Sequence, residues 1–196
     1  MSRRSLLILA IGLAVLVGFV FAALAERNGG KGGTLAGNVP AEPQTAHLDW
    51  VEGEGPKGER VEFVVQRFQV VAGGWRALIS LRNDSKVAFG LDRSRRSFGV
   101  MLFTSGVHRD LDTRIRQQDL PSLRPALEYD PDPPSTLDPH STWTATISAR
   151  GALVAGSWVR LVFGTLDAIG RTPDAFPAHM LWITDHAYRL RGSGPG

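Results

Sequence analysis

The chain has 196 residues, and its 22 lysines and arginines nearly balance its 19 aspartates and glutamates. Hydrophobic residues make up 43% and charged residues 21%, which is typical of a globular protein with one folded domain. Without Arg3 and Arg4 the net charge is +1 (20 basic minus 19 acidic residues), which gives no reason to expect a nucleic-acid partner. The absence of cysteine excludes disulfides, thiol chemistry and a lipid-modified cysteine.

An unbroken apolar run fills residues 6–25. A helix of that length spans about 30 Å, which matches the hydrocarbon thickness of a bilayer. Arg3 and Arg4 precede the run and no charge interrupts it, so the N-terminus is expected in the cytoplasm. The sequence therefore predicts a cytoplasmic n-region (residues 1–5) and a transmembrane signal anchor (residues 6–25). We expect a single-pass plasma membrane protein with its domain outside.

A cleaved signal peptide is the alternative interpretation of the same run. Ala23-Leu24-Ala25 places small residues at alternate positions, as a signal peptidase requires, and cleavage after Ala25 would secrete the domain. The run is longer than the roughly 7 to 15 apolar residues of a cleaved signal. Its length favours the anchor.

Small and polar residues dominate from residue 28 to about residue 46, with several glycines and prolines among them. Such a stretch cannot bury enough apolar surface to offset its loss of conformational entropy. We therefore predict a flexible tether over residues 26–46, an extracytoplasmic β-sandwich over residues 47–191 and a disordered tail over residues 192–196.

The periodicity between these ends is that of strands. Apolar residues at positions 75, 77, 79 and 81 alternate with polar ones, broken only by Leu78, and residues 142–148 repeat the pattern around Trp143. In residues 61–71 the apolar positions change parity, which predicts a bulge or kink. Asn83-Asp84-Ser85 predicts a hairpin turn or a sharp corner, which also accounts for its match to the N-glycosylation pattern. Further runs at residues 98–103, 158–163 and 180–190 give about seven to eight strands.

Many short strands without a long amphipathic helix favour two antiparallel sheets packed face to face. Four segments combine apolar strands with turn residues: Phe63-Val64-Val65, Leu81-Arg82-Asn83, Ser141-Thr142-Trp143 and Gly156-Ser157-Trp158-Val159. They resemble the Ig-like β-sandwich domains of bacterial membrane-anchored or secreted proteins of unknown function. The resemblance covers roughly residues 61–163. It implies an all-β, Ig-like fold outside the cytoplasm and a binding or supporting role, and it carries no catalytic residues.

The segment 105–141 is longer than an ordinary loop. Residues 110–120 are compatible with one short helix, which Pro121 would end. Asp130, Asp132 and Asp138 follow, and carboxylates of this kind are candidate Ca²⁺ ligands. The alternative is a solvated acidic loop at a sheet edge, because no EF-hand spacing is present.

Some histidines and tryptophans are further candidates for site residues. His179 and His186 fall at an odd separation in one predicted strand, so they should face opposite sides and not share a metal. Asp185-His186 should diverge for the same reason, and the chain has no Gly-x-Ser-x-Gly motif. Trp158 and Trp182 are the candidate ligand-binding aromatic residues.

The sequence thus predicts a membrane-tethered, extracytoplasmic, non-enzymatic interaction or structural-support module of the cell envelope. An envelope protein is the expected partner, and no cofactor is predicted. One alternative is a carbohydrate or small-ligand binding domain that uses exposed tryptophans. The other is a hydrolase or metal-dependent enzyme, which would require His108, His140 or His186 to converge with the aspartates of residues 130–138.

Overall fold

The computed structural model describes residues 39–56, 58–91, 97–170 and 176–192, which contain twelve strands and one helix. The predicted n-region, the apolar run at 6–25, residues 26–38 of the predicted tether and residues 193–196 of the predicted tail lie outside those ranges. Within the described ranges no helix has the length and apolar character needed to cross a bilayer.

The elements are short, apart from five long strands that build most of the two sheets. In chain order they are β1 (Gln44–Glu54), β2 (Val61–Val71), β3 (Gly74–Asn83), β4 (Ala88–Gly90), β5 (Gly99–Phe103), α1 (His108–Gln117), β6 (Arg124–Pro125), β7 (Glu128–Asp130), β8 (Thr136–Leu137), β9 (Ser141–Arg150), β10 (Trp158–Ile169), β11 (His179–Ile183) and β12 (Tyr188–Arg189).

The first sheet is antiparallel, with strand order β1-β2-β3-β9-β7. The bulge that the sequence predicts in β2 occurs between Val65 and Arg67, where the register with β3 shifts. A bulge inserts one unpaired residue and so reverses the parity of the strand. Its effect here is that Phe63 before the bulge and Phe68 after it are both fully buried. The apolar side chains of both halves of β2 therefore enter the same core.

The second sheet is built around β10, with strand order β6-β5-β10-β4-β8 and with β11 and β12 also paired to β10. Trp158 pairs with both Phe103 of β5 and Arg189 of β12, so these strands flank opposite sides of β10. Farther along, Asp167 pairs with β4 on one side and β11 on the other. Strand β10 therefore pairs with four other strands, which are β4, β5, β11 and β12.

Aromatic side chains from both sheets meet in the main core. Phe63 of the first sheet lies 5.3 Å from Phe163 and 4.8 Å from Trp182 of the second sheet, measured between ring centroids. Phe98 contacts Trp143 and Phe163 edge to face. The described residues therefore form two antiparallel sheets packed face to face, as predicted, with one short helix.

Asn83 marks a corner and not a hairpin, because β3 belongs to the first sheet and β4 to the second. Its side chain is fully buried. The amide nitrogen donates to the carbonyl oxygens of Val87 (2.7 Å) and Asp138 (2.9 Å), and the amide oxygen accepts from Ser85. The match to the glycosylation pattern is thus explained by a structural turn.

The segment 105–141 is ordered and adds a third layer. Helix α1 contributes Leu111, which is 2% exposed, to a small apolar cluster on the outer face of the second sheet with Met101, Phe103 and Val162. The helix begins two residues before the predicted start and ends at Gln117, since Gln118 adopts φ 56°. Its existence could be predicted from the sequence, but its docking site could not.

Two boundaries differ from those expected. Strand β1 begins three residues before the predicted domain start at 47, and Pro40 and Ala41 already form bridges to Val154 and Gly192. The predicted strand at 180–190 is two strands, β11 and β12, joined by a turn at residues 184–187. That turn carries the polar contacts of the candidate site.

Candidate functional site

Polar side chains from four parts of the fold meet at one edge of the sandwich. Strand β1 supplies Glu52, β10 supplies Arg160, α1 supplies His108, and the turn between β11 and β12 supplies Asp185 and His186. We call these five residues the edge cluster. Its members lie far apart in sequence, so the sheet pairing and the helix docking bring them together.

Glu52 is the centre of the edge cluster and is 8% exposed. Its Oε2 accepts hydrogen bonds from Trp182 Nε1 (2.7 Å) and the Asp185 backbone nitrogen (2.8 Å). Its Oε1 accepts from the His186 backbone nitrogen (3.1 Å) and lies 2.8 Å from His186 Nδ1. The His186 ring also stacks on Trp50, with 5.5 Å between centroids. One carboxylate thus fixes the start of the β11–β12 turn.

Arg160 is fully buried on the outer face of the second sheet, and its guanidinium bonds to backbone carbonyls. Nη1 donates to Thr184 O (2.8 Å) and to Asp185 O, and Nη2 donates to Gly106 O (3.0 Å). Burial lowers the pKa of Arg160, while the nearby charge of Glu52 acts in the opposite direction. The guanidinium carbon also lies 5.5 Å from the centroid of the Phe103 ring. Arg160 therefore joins the turn to the loop that precedes α1.

His108 joins the helix to the same turn. Its Nε2 lies 3.1 Å from Asp185 Oδ1, and its Nδ1 lies 3.2 Å from Asp112 Oδ2 one helical turn later. The N-terminus of α1 is consequently held by the His108 ring and by the bond between Gly106 and Arg160.

The edge cluster contains acid–base groups, yet their contacts are those of structural links. Over the described ranges, no serine or threonine hydroxyl is hydrogen-bonded to the ring of His108 or His186. In the same ranges no group of three or more His, Asp or Glu side chains is arranged to hold a metal ion. The arrangement can hold four segments of the chain together.

The two predicted ligand-binding tryptophans are both packed against the protein. Trp182 is 8% exposed, stacks on Phe63 at an interplanar angle of 9° and donates its N–H to Glu52. Trp158 is half-buried, and Gly106 lies so close that a Cβ there would overlap its ring. Trp182 therefore has no exposed face for stacking on a sugar.

The predicted calcium ligands Asp130, Asp132 and Asp138 are exposed, and they belong to no three-residue metal group in the described part of the chain. Asp138 acts through its backbone, since its carbonyl oxygen accepts from Ser141 and Asn83. His140 is exposed, with φ 56°. Asp185 and His186 lie in a turn and not within a strand, and their side chains contact His108 and Glu52 respectively.

The sequence patterns did not predict Glu52 or Arg160 as site residues. Arg160 had a visible signal, because it is the one charge inside the apolar run at residues 158–163. A charge in such a run indicates a buried, bonded side chain. Glu52 shares its parity with Trp50, but only the structure shows which residues it meets.

Comparisons of the chain with protein-family models, with curated proteins and with solved structures gave no match. Function is therefore inferred from the geometry of the chain itself.

Proposed function

We propose that the protein is a membrane-tethered, extracytoplasmic interaction or structural-support module of the cell envelope, with an Ig-like sandwich and no catalytic activity. One observation carries the proposal: the chain enters and leaves the sandwich at the same end, which leaves the opposite end free. An N-terminal tether attached at this end leaves the opposite end accessible to a partner. The apolar run at residues 6–25 supplies the anchor in this proposal.

The end where the chain enters and leaves, which we call the base, is defined by backbone contacts. Ala41 donates to Leu153 O (2.7 Å), Ala155 donates to Val39 O (2.9 Å), and Ala41 forms a bridge with Gly192. Residues 26–38 separate the base from the apolar run and span at most about 45 Å when extended. That length allows the base to touch the membrane or to stand clear of it.

The opposite end, the tip, gathers three loops. Asp84 N donates to Arg60 O (2.7 Å), which joins the β3–β4 loop to the β1–β2 loop. Asn83 Nδ2 donates to Asp138 O (2.9 Å), which adds the β8–β9 loop. Loops held on a rigid β scaffold are the usual place for recognition. The tip is therefore the surface that we assign to the envelope partner.

The edge cluster supports a structural role for its acid–base residues. Glu52 and Arg160 are both buried, and their polar contacts connect segments of the same chain. Such bonds hold a sandwich in one shape, as an interaction or support module needs.

The membrane orientation can be tested with single cysteines, because the chain has none of its own. We expect Lys86→Cys, at the tip, to react with a membrane-impermeant maleimide in spheroplasts. Ser2→Cys should react only after lysis. Labelling of both positions in intact spheroplasts, or a mature chain that begins at Glu26, would contradict the anchor and favour a secreted ligand binder.

The partner surface can be tested with a photo-crosslinking amino acid at Lys86 in the full-length chain, followed by mass spectrometry. The matched control places the same group at Gln117, an exposed position on α1. We expect a reproducible envelope protein from position 86 and none from position 117. Identical crosslinked proteins from both positions would contradict the assignment of the tip as the partner surface.

A further inference from the structure

Four arginines surround the base. Arg150 ends β9 and pairs with Gly74, and Arg124 Nη1 donates to Ala152 O (2.8 Å) in the adjoining loop. Arg189 pairs with Trp158, and the carbonyl of Arg191 accepts from Glu42 N (3.1 Å). We call these four residues the basal arginines. They belong to three separate stretches of the fold that meet where the chain enters.

Little acidic charge offsets the basal arginines. Glu42 Oε1 lies 3.7 Å from Arg191 Nε, and Glu128 bonds to Ser148 beside the end of β9. Among the described residues, Arg150 and Arg189 have no carboxylate within ion-pair distance. Arg150, Arg189 and Arg191 are all exposed, and the Arg191 side chain is 64% exposed. The base therefore presents a net positive surface.

The tip differs, because two of its basic side chains, Arg82 and Lys86, are neutralised locally. Arg82 lies 2.6 Å from Asp84 and 3.4 Å from Glu62, while Lys86 lies 2.7 Å from Glu59. Among the described residues, Arg150 and Arg189 at the base thus lack an ion-pair partner, whereas Arg82 and Lys86 at the tip are paired. Positive charge is therefore more concentrated at the base than at the tip of the described domain.

We propose that the basal arginines dock the base on anionic lipid headgroups of the membrane in which the chain is anchored. Guanidinium groups match phosphate oxygens in charge and geometry, and the covalent tether keeps the base near the bilayer surface. An anionic membrane attracts basic residues that lie within about a Debye length of it. The inference rests on the proposed tethering and adds a fixed orientation, in which the domain stands on the bilayer with its tip outward.

Energy transfer in nanodiscs tests this orientation with the full-length chain. Ala152→Cys at the base or Lys86→Cys at the tip carries a donor, and the lipid headgroups carry the acceptor. The ten residues of β9, at about 3.4 Å per residue, separate the two positions by roughly 30 Å. In discs with 30% phosphatidylglycerol we expect strong transfer from position 152, loss of that transfer in 0.5 M salt, and weak transfer from position 86.

Arg150→Gln, Arg189→Gln and Arg191→Gln are then combined in one chain. Each basic residue near such a surface changes the docking equilibrium about fivefold, so the triple variant should weaken docking by roughly a hundredfold. The matched control removes the same charge at the tip, through Arg60→Gln, Arg82→Gln and Lys86→Gln. It should leave transfer from position 152 unchanged.

Two failures remain distinguishable in this experiment. A chain that does not co-elute with the discs contradicts the anchor itself. A chain that co-elutes but shows equal transfer in zwitterionic and anionic discs overturns only the docking. Binding of an acidic peptide by the basal arginines, without any lipid dependence, would also overturn it and assign the base to a protein partner.

Discussion

Glu52 is a buried carboxylate whose bonding partners are an indole N–H, two backbone N–H groups and one imidazole. Arg160 is a buried guanidinium that bonds to three carbonyl oxygens. Both therefore bond to polar groups that would otherwise lack a partner at a strand end or in a turn. Their role is to satisfy the backbone of the β11–β12 turn from both sides.

Replacing Glu52 by alanine should destabilise the protein by about 2–4 kcal/mol, because the buried N–H groups of Trp182, Asp185 and His186 lose their acceptor. Glu52→Gln retains one acceptor oxygen and should lose about 1–2 kcal/mol. Thermal unfolding of the full-length chain in mild detergent, followed by circular dichroism, measures both. Glu54→Ala, two residues along β1, should stay within about 0.5 kcal/mol of the wild type. Equal losses for positions 52 and 54 would show that the hydrogen bonds do not stabilise the fold.

Helix α1 is the element that is least integrated into the sandwich. It carries one buried side chain, Leu111, and its N-terminus is held through His108 and Gly106. By contrast, β1, β2, β3 and β9 of the first sheet are each ten or eleven residues long. Elements with few buried contacts open before the global unfolding transition. We therefore expect α1 to exchange its amide hydrogens independently of the sheets.

Leu111→Ala should accelerate hydrogen exchange of residues 108–117 by at least about tenfold, since loss of a buried leucine removes a few kcal/mol of local packing. Amides of β3 and β9 should keep their wild-type rates in hydrogen-exchange mass spectrometry. Arg116→Ala, on the exposed side of the same helix, serves as the control and should change neither region. If β3 and β9 accelerate by the same factor as the helix, α1 is part of one cooperative unit with the sandwich.

At the scale of the whole molecule, β1 fastens the C-terminal segment to the first sheet at two points. Glu52 holds residues 182–186 near one end of β1. Gln44, 6% exposed, accepts from Tyr188 Oη and Arg191 N near the other end, both at 3.1 Å. Since β11 and β12 belong to the second sheet, these bonds close one edge of the sandwich. The first and last strands of the domain thus stabilise each other.

The two contacts should therefore be coupled, although Gln44 and Glu52 are eight residues apart in β1, which places their side chains about 25 Å apart. Independent sites at that distance add to within roughly 0.5 kcal/mol. We expect Gln44→Ala combined with Glu52→Ala to lose less stability than the two single variants added together, because either one releases the same segment. Unfolding free energies of the four proteins measure the difference. If the losses of unfolding free energy are strictly additive, residues 182–191 do not act as one cooperative unit.

The sequence alone determined the features that depend on neighbouring residues. The alternation at residues 75–81 and 142–148 predicted β3 and β9, because a strand turns every second side chain toward the core. The parity change in β2 predicted its bulge for the same reason. The sequence predicted helix α1 with its ends shifted by two or three residues. It did not predict the division of residues 180–190 into β11 and β12, because a short turn between apolar strands leaves a weak local signal.

Only the tertiary structure decided which distant residues meet. Glu52 reaches Trp182 across 130 positions, and Arg160 reaches Gly106 across 54. These contacts depend on the order of strands in two sheets and on the face that α1 covers, and periodicity specifies neither. For the same reason Trp182 looked like a candidate platform in the sequence, whereas the structure packs it against Phe63. The pattern of a strand fixes which side chains point inward, and the sheet order fixes what they touch.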